Sequence, residues 1–180
     1  MKRASTTRRT FVKAVAVGAA VGAADSLMAA EPPAHGKGIR AIVSEGLGRI
    51  VILSFERGEK LREGIRGKLK ELGIKNAVLL SAIGTFEKAR FHRIKNTKPH
   101  PEDEIIEVEG PMELAAVDGI VADGEPHFHM VFQDLNRAYA VHLEDGSIVC
   151  YLAEIVLAEL KGVELTRVRN QYGIPLLQQK

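Results

Sequence analysis

The sequence predicts an α+β domain with a mainly antiparallel sheet and one principal amphipathic helix. Leucine or isoleucine recurs at intervals of three and four residues between positions 58 and 73, which is the period of an amphipathic helix, and Gly73 suits its end. Most other apolar runs are short, rich in β-branched residues and separated by turn sequences such as Asp123-Gly124 and Asp145-Gly146. One helix among strands joined by tight turns favours antiparallel pairing over a doubly wound parallel sheet.

The first 30 residues have the composition of a secretory signal peptide. A basic start precedes the run Ala14 to Ala24, which contains only Ala, Val and Gly and is shorter than the ~20 apolar residues that span a bilayer. Thr7-Arg8-Arg9-Thr10-Phe11-Val12-Lys13 resembles a twin-arginine export signal. We therefore expect residues 1–30 to be a twin-arginine-type signal peptide and the mature chain to be periplasmic or extracellular, with no membrane span. A disordered basic tail and an uncleaved anchor are the alternatives.

The remaining chain divides into a linker, one domain and a short tail. Residues 31–38 contain two prolines and two glycines without apolar periodicity, which predicts a linker. Residues 39–171 are long enough for a single hydrophobic core, and residues 172–180 are interpreted as a C-terminal tail. β-strands are predicted at residues 41–44, 49–55, 77–83, 89–94, 105–108, 114–121, 127–132, 139–143, 148–157 and 164–169.

Charge, cysteine content and missing motifs argue against several classes of function. Removal of residues 1–30 takes away five basic residues and one acidic residue, which leaves 20 basic against 22 acidic residues in the mature chain. A slightly negative domain without an evident basic cluster does not favour binding to nucleic acid. Cys150 is the sole cysteine, so neither an internal disulfide nor a thiolate metal cluster can form. The sequence also lacks a phosphate loop, a nucleophile elbow and a dinucleotide fingerprint.

Three histidines on two consecutive predicted strands indicate a metal site. His127 and His129 are two residues apart and project from the same face of their strand. If residues 134–137 form the turn to the next strand, His129 lies opposite His142, with Cβ atoms ~4.5–5.5 Å apart. Three imidazoles at this spacing can bind one divalent ion and leave a position open for water or a small-molecule ligand. Zinc is the preferred ion, and iron, nickel and copper are the alternatives.

Two further residues are candidates for catalytic groups. If Asp145-Gly146 joins the next two strands as a hairpin, Tyr151 lies one row beyond His142 on the same face. Glu144 then lies in the row of His127, where it could act as a general base or orient a ligand. The alternatives are a turn carboxylate for Glu144 and a packed aromatic for Tyr151. His35, His92 and His100 are interpreted as incidental.

Several motifs together resemble the PPC domain, the plants and prokaryotes conserved family. The resemblance covers residues 50–160 and rests on Arg57-Gly58-Glu59, Val78-Leu79-Leu80-Ser81-Ala82-Ile83-Gly84, Glu109-Gly110-Pro111-Met112-Glu113-Leu114, Pro126-His127-Phe128-His129 and His142-Leu143. It implies a compact domain that assembles as a homotrimer. Prokaryotic members with the three-histidine pattern look like metal proteins, whereas plant members occur beside AT-hooks in nuclear DNA-binding proteins.

Three hypotheses about function follow. The first is an exported, trimeric PPC-domain protein that binds a divalent metal, zinc by preference, through His127, His129 and His142, with a small-molecule ligand at the metal. The second is a metal-dependent hydrolase or lyase that uses the open coordination position to activate water or polarise a carbonyl. The third is a DNA-binding or regulatory module, which the absent AT-hook and the export signal disfavour. The sequence leaves open whether the protein is an enzyme, and it names no substrate.

Overall fold

The fold is described for residues 39–180 by a computed structural model, so the predicted signal peptide and linker lie outside the described residues. One helix is present in this part of the chain, α1 (Leu61–Glu71). It follows the first of eight strands: β1 (Gly46–Glu56), β2 (Ala77–Ile94), β3 (Asp103–Ala122), β4 (Glu125–Gln133), β5 (Ala138–Leu143), β6 (Ile148–Lys161), β7 (Leu165–Arg169) and β8 (Pro175–Gln179). No helix in residues 39–180 has the length and apolar character needed to cross a membrane.

Six strands form one antiparallel sheet, which confirms the predicted fold class. Their order is β1-β6-β2-β3-β4-β5, and β2 also pairs with β5 through Phe91–Leu143 and His92–His142. This last pairing closes β2, β3, β4 and β5 into a ring of strands. The short strands β7 and β8 form a separate antiparallel hairpin.

The core lies between helix α1 and one face of the sheet. Leu61, Ile65 and Leu69 of the helix are fully buried, as the apolar period of the sequence predicts. Four phenylalanines fill the ring of strands, and burial of each apolar side chain contributes ~1.5–3 kcal/mol. They are Phe86, Phe91, Phe128 and Phe132. Because alternate residues of a strand point to opposite faces, burial of Phe128 turns its two neighbours outward.

The predicted hairpin between β5 and β6 is wrong. Both strands pair antiparallel with the same edge of β2, β5 near Phe91 and β6 from Ala77 to Lys88, so they follow one another along that edge. The connecting residues carry the buried Ser147, whose hydroxyl accepts a hydrogen bond from the Arg90 N–H at 2.9 Å and donates one to the Arg90 carbonyl at 3.1 Å. A side chain thus takes the place of a strand partner between β5 and β6.

Other predicted elements also differ from the structure. Residues 41–44 are not a strand, because β6 ends at Lys161, opposite Gly46, and offers no edge beyond it. The two pairs of strands predicted at residues 77–94 and 105–121 are the continuous strands β2 and β3. A register shift places Glu109 and Met112 beside Lys88 and Phe86, so a bulge accommodates the intervening proline. Residues 172–180, interpreted as a tail, contain β8.

Candidate metal centre

The outer face of β4 and β5 presents the three predicted histidines together. His127 and His129 flank the buried Phe128 on β4, and both point away from the core. His129 lies directly opposite His142 of β5, which confirms the predicted register. The turn at Asp134 sets this register, because the Asp134 carboxylate accepts hydrogen bonds from the N–H groups two and three residues later.

The geometry of the three imidazoles fits one tetrahedral ion. Nδ1 of His142 is 3.4 Å from Nε2 of His129, and the donor nitrogens of all three rings lie within 4.8 Å of one another. Two nitrogens that each lie about 2.0–2.1 Å from the same tetrahedral zinc are about 3.3–3.4 Å apart. The His127 ring is T-shaped to that of His142, with centroids 4.7 Å apart.

Two of these histidines are held in the neutral form that binds metals. Burial lowers the pKa of His142 to about 3, and the neighbouring His92 adds to the effect. Burial is also the largest cause that lowers the pKa of His127, and the positive charge of Arg167 is the second. Because protons compete with metal ions for imidazole nitrogen, these pKa shifts keep both donors available at neutral pH.

His92 belongs to this cluster, so its interpretation as an incidental histidine is wrong. Its ring stacks on that of His142 with centroids 4.2 Å apart, because β2 and β5 pair at these two residues. His92, His142 and Glu144 form a second set of groups able to hold an ion. Fifty residues separate the two paired histidines. The pairing of β2 with β5 that brings them together has no local sequence signal. His100 instead packs against Tyr172.

The two candidate catalytic residues lie in different places. The Glu144 carboxylate is 2.6 Å from Nδ1 of His92 and 3.6 Å from the Arg62 guanidinium, so it lies beside the histidines. Tyr151 is on β6, which pairs with β1 and β2 and not with β5. Its ring is exposed and lines a separate cavity with Cys150 and Asp134. The structure therefore brings Glu144 to the site and leaves Tyr151 outside it.

The β7–β8 hairpin forms one wall of a cavity beside His127 and His129. Arg167 of β7 and Leu176 and Leu177 of β8 line this cavity. The Arg167 guanidinium donates to the carbonyl of Ile120 at 3.2 Å, which fixes the hairpin against β3. Arg167 is not among the predicted site residues, since a single arginine in a short strand has no distinguishing pattern.

Comparison with known proteins assigns the family. Residues 42–161 match the Plants and Prokaryotes Conserved (PCC) domain, whose name is also written PPC. The chain belongs to this family. The matched segment contains strands β1 to β6, helix α1 and all four clustered histidines, whereas the β7–β8 hairpin follows it. No curated protein matches the sequence at a significant level.

Solved structures share the fold of this PPC domain. A metal-containing protein from Archaeoglobus fulgidus has 26% identity and a TM-score of 0.67, with 78% of this chain and 99% of that chain covered. A plant- and prokaryote-conserved protein from Pyrococcus horikoshii has 29% identity and a TM-score of 0.64, with coverages of 77% and 99%. A candidate DNA-binding protein from Bacteroides thetaiotaomicron has 17% identity, a TM-score of 0.63 and coverages of 76% and 96%, a likeness of fold alone.

Proposed function

We propose that this PPC domain binds one divalent metal ion, zinc by preference, through His127, His129 and His142. The observation that carries the proposal is the 3.4 Å separation of the His142 and His129 nitrogens, the spacing expected for two ligands of one tetrahedral ion. The metal-containing relative from Archaeoglobus fulgidus supports it. Three protein ligands leave one coordination position for a small molecule.

The test compares the metal content of matched histidine variants. The full-length chain is stripped with EDTA, incubated with zinc, desalted and analysed by mass spectrometry of the metal. We expect about one zinc per chain in the unchanged protein and a large loss in His129→Ala, because two imidazoles bind zinc far more weakly than three. His100→Ala, which removes a histidine outside the cluster, should retain the metal. Equal zinc in the two variants would contradict the proposal.

We further propose that the protein is exported and acts outside the cytoplasm. The support is the sequence Arg8-Arg9 ahead of the Ala, Val and Gly run, which resembles a twin-arginine signal. The test fuses residues 1–30 to a reporter protein that is active only after export. Reporter activity should disappear when Arg8 and Arg9 are both replaced by lysine, and reporter activity that persists would contradict the route.

A homotrimer is the assembly we propose. An apolar patch on the outer face of β1, β6 and β2 supports an interface, since grouped exposed apolar side chains mark association sites more often than single ones do. The patch contains Ile50, Ile52, Ile83 and Leu152, which are 54%, 73%, 48% and 47% exposed. Light scattering should report three chains per particle and a smaller species for Ile52→Asp. Leu135→Asp, in an exposed turn outside the patch, is the matched control.

A metal-dependent hydrolase or lyase is the second candidate, because a carboxylate and an additional imidazole adjoin the site. A bound zinc ion would supply Lewis acidity. Since a carboxylate only accepts hydrogen bonds, the Glu144 contact places the proton of His92 on Nδ1 and leaves Nε2 free to accept a proton. If this pair provides acid–base catalysis, His92→Gln should lower ester hydrolysis by about 10²–10⁴-fold with zinc content unchanged. Equal hydrolysis rates in the variant and the unchanged protein would contradict this candidate.

A further inference from the structure

The cavity beside the histidines combines one arginine with apolar side chains. It has a volume of about 440 Å³, within the range of ~300–1,000 Å³ that is typical of small-molecule sites. Asp118, His127, His129 and Arg167 contribute its polar groups. Ile120, Leu176 and Leu177 are among its apolar side chains. The β8 residues and Arg167 come from the hairpin that follows the matched family segment. This part of the cavity is therefore supplied by the chain's own C-terminal hairpin.

The charge of Arg167 has no carboxylate partner among residues 39–180. Its side chain is half-buried, and its hydrogen bonds are to the carbonyls of Ile120 and Glu125, at 3.2 and 3.5 Å. Burial lowers its pKa, with no acidic residue to offset the effect. A guanidinium has five N–H donors, so the two backbone contacts leave donors for a further acceptor. Arginine in such a setting is suited to binding a carboxylate or phosphate.

We propose that this cavity binds a small monocarboxylate with an apolar tail. The proposal rests on the proposed metal site, since the carboxylate would lie between the ion held by the histidines and the Arg167 guanidinium. Three neutral imidazoles leave the charge of a divalent ion uncompensated, and Arg167 adds a further positive charge. An anion neutralises both, while Leu176 and Leu177 remove the apolar tail from water.

A carboxylate suits this cavity better than a phosphate monoester. Asp118 lies opposite His129 on the neighbouring strand and lines the same cavity, so its negative charge repels a dianion more than a monoanion. Apolar side chains form the remaining wall, which favours a ligand with a single charged end. Asp118→Asn should therefore strengthen binding of either anion, and should strengthen binding of the dianion more.

The experiment titrates three six-carbon probes into the full-length chain by calorimetry. Zinc-loaded protein should bind hexanoate, bind hexyl phosphate more weakly, and show no measurable binding of hexanamide, which is uncharged. Arg167→Gln should weaken hexanoate binding by at least about tenfold, the equivalent of one charged hydrogen bond, and Arg167→Lys should weaken it less. The control Arg169→Gln changes an exposed arginine of the same strand, which contacts the Gly173 carbonyl, and should leave binding unchanged.

The outcomes separate this inference from the metal proposal. Zinc content measured on each variant shows whether the histidine site is intact. Three results with zinc-loaded protein would overturn the anion site. They are no binding of hexanoate, equal hexanoate affinity in Arg167→Gln and the unchanged protein, and equal affinity for hexanamide and hexanoate. If the unchanged protein binds no zinc, the metal proposal fails by itself. Titration of the EDTA-treated chain with hexanoate then tests the anion site separately. Binding that depends on Arg167 would support an anion site, and no such binding would overturn it.

Discussion

Gly119 is the residue at which a single methyl group should disturb both the fold and the candidate metal centre. It lies on β3 opposite Phe128 and has a φ of +146°, a backbone conformation that residues with a Cβ rarely adopt. A Cβ at this position would overlap the carbonyl oxygen of His127 and lie 2.8 Å from Cδ1 of Phe128. Gly119→Ala therefore pushes against the segment of β4 that carries His127 and His129.

Two effects set the expected loss of stability. Forcing alanine into this backbone conformation costs about 1–3 kcal/mol. Overpacking against the backbone and ring of β4 costs a further ~1–3 kcal/mol. We expect the free energy of unfolding of Gly119→Ala to fall by about 2–6 kcal/mol, a large fraction of the ~5–15 kcal/mol typical of a domain. Displacement of His127 should also weaken zinc binding by about tenfold or more.

The assay is urea unfolding of the EDTA-treated chain, followed by zinc titration of the folded protein. Gly67→Ala is the matched control, because Gly67 lies on the exposed face of helix α1 and a Cβ there meets no atom within 4 Å. This variant should gain about 0.5–1 kcal/mol from the higher helix propensity of alanine. An unchanged urea midpoint in Gly119→Ala, or an equal loss in both variants, would refute the reasoning.

Two other perturbations test the connection between β5 and β6 and the protonation of the site. Ser147→Ala leaves the Arg90 N–H without its partner and should lower the free energy of unfolding by about 1–3 kcal/mol in a urea titration. The control Ser54→Ala changes an exposed serine and should alter this free energy by less than ~0.5 kcal/mol. In the metal-free chain, stability should fall as the pH drops from ~6.5, the unfolded-state pKa of histidine, toward about 3, because unfolding lets His142 take up a proton that the fold excludes. His142→Gln should reduce this fall between pH 7 and pH 5, and equal slopes would contradict the depressed pKa.

Local sequence patterns predicted the parts of the structure that local interactions determine. The helix at Leu61–Glu71 follows from the apolar period, and Leu61, Ile65 and Leu69 are buried, whereas Leu72 at the C-cap is 43% exposed. The pairing of His129 with His142 follows from a short turn and the alternation of a strand. Both inferences need contacts between residues fewer than 15 positions apart, and the structure confirms both.

The parts that sequence analysis missed depend on contacts between distant segments. Asp145-Gly146 has the composition of a hairpin turn, yet the edge of β2 receives both β5 and β6, and pairing with this edge overrides the local preference. The same edge brings His92 to His142, which no spacing in the sequence indicates. Arg167 reaches the site because the β7–β8 hairpin packs on β3, a contact between segments about 50 residues apart.

The narrow pairing between β2 and β5 has a consequence for the motions of the site. β5 is joined to β4 by five residue pairs and to β2 by two, and His142 belongs to both sets. Segments with few backbone hydrogen bonds open locally at lower free energy than the rest of a domain. Separation of β5 from β2 would expose the His92 and His142 rings to water without unfolding the sheet. If the proposed ion is bound, this local opening is a route for its exchange.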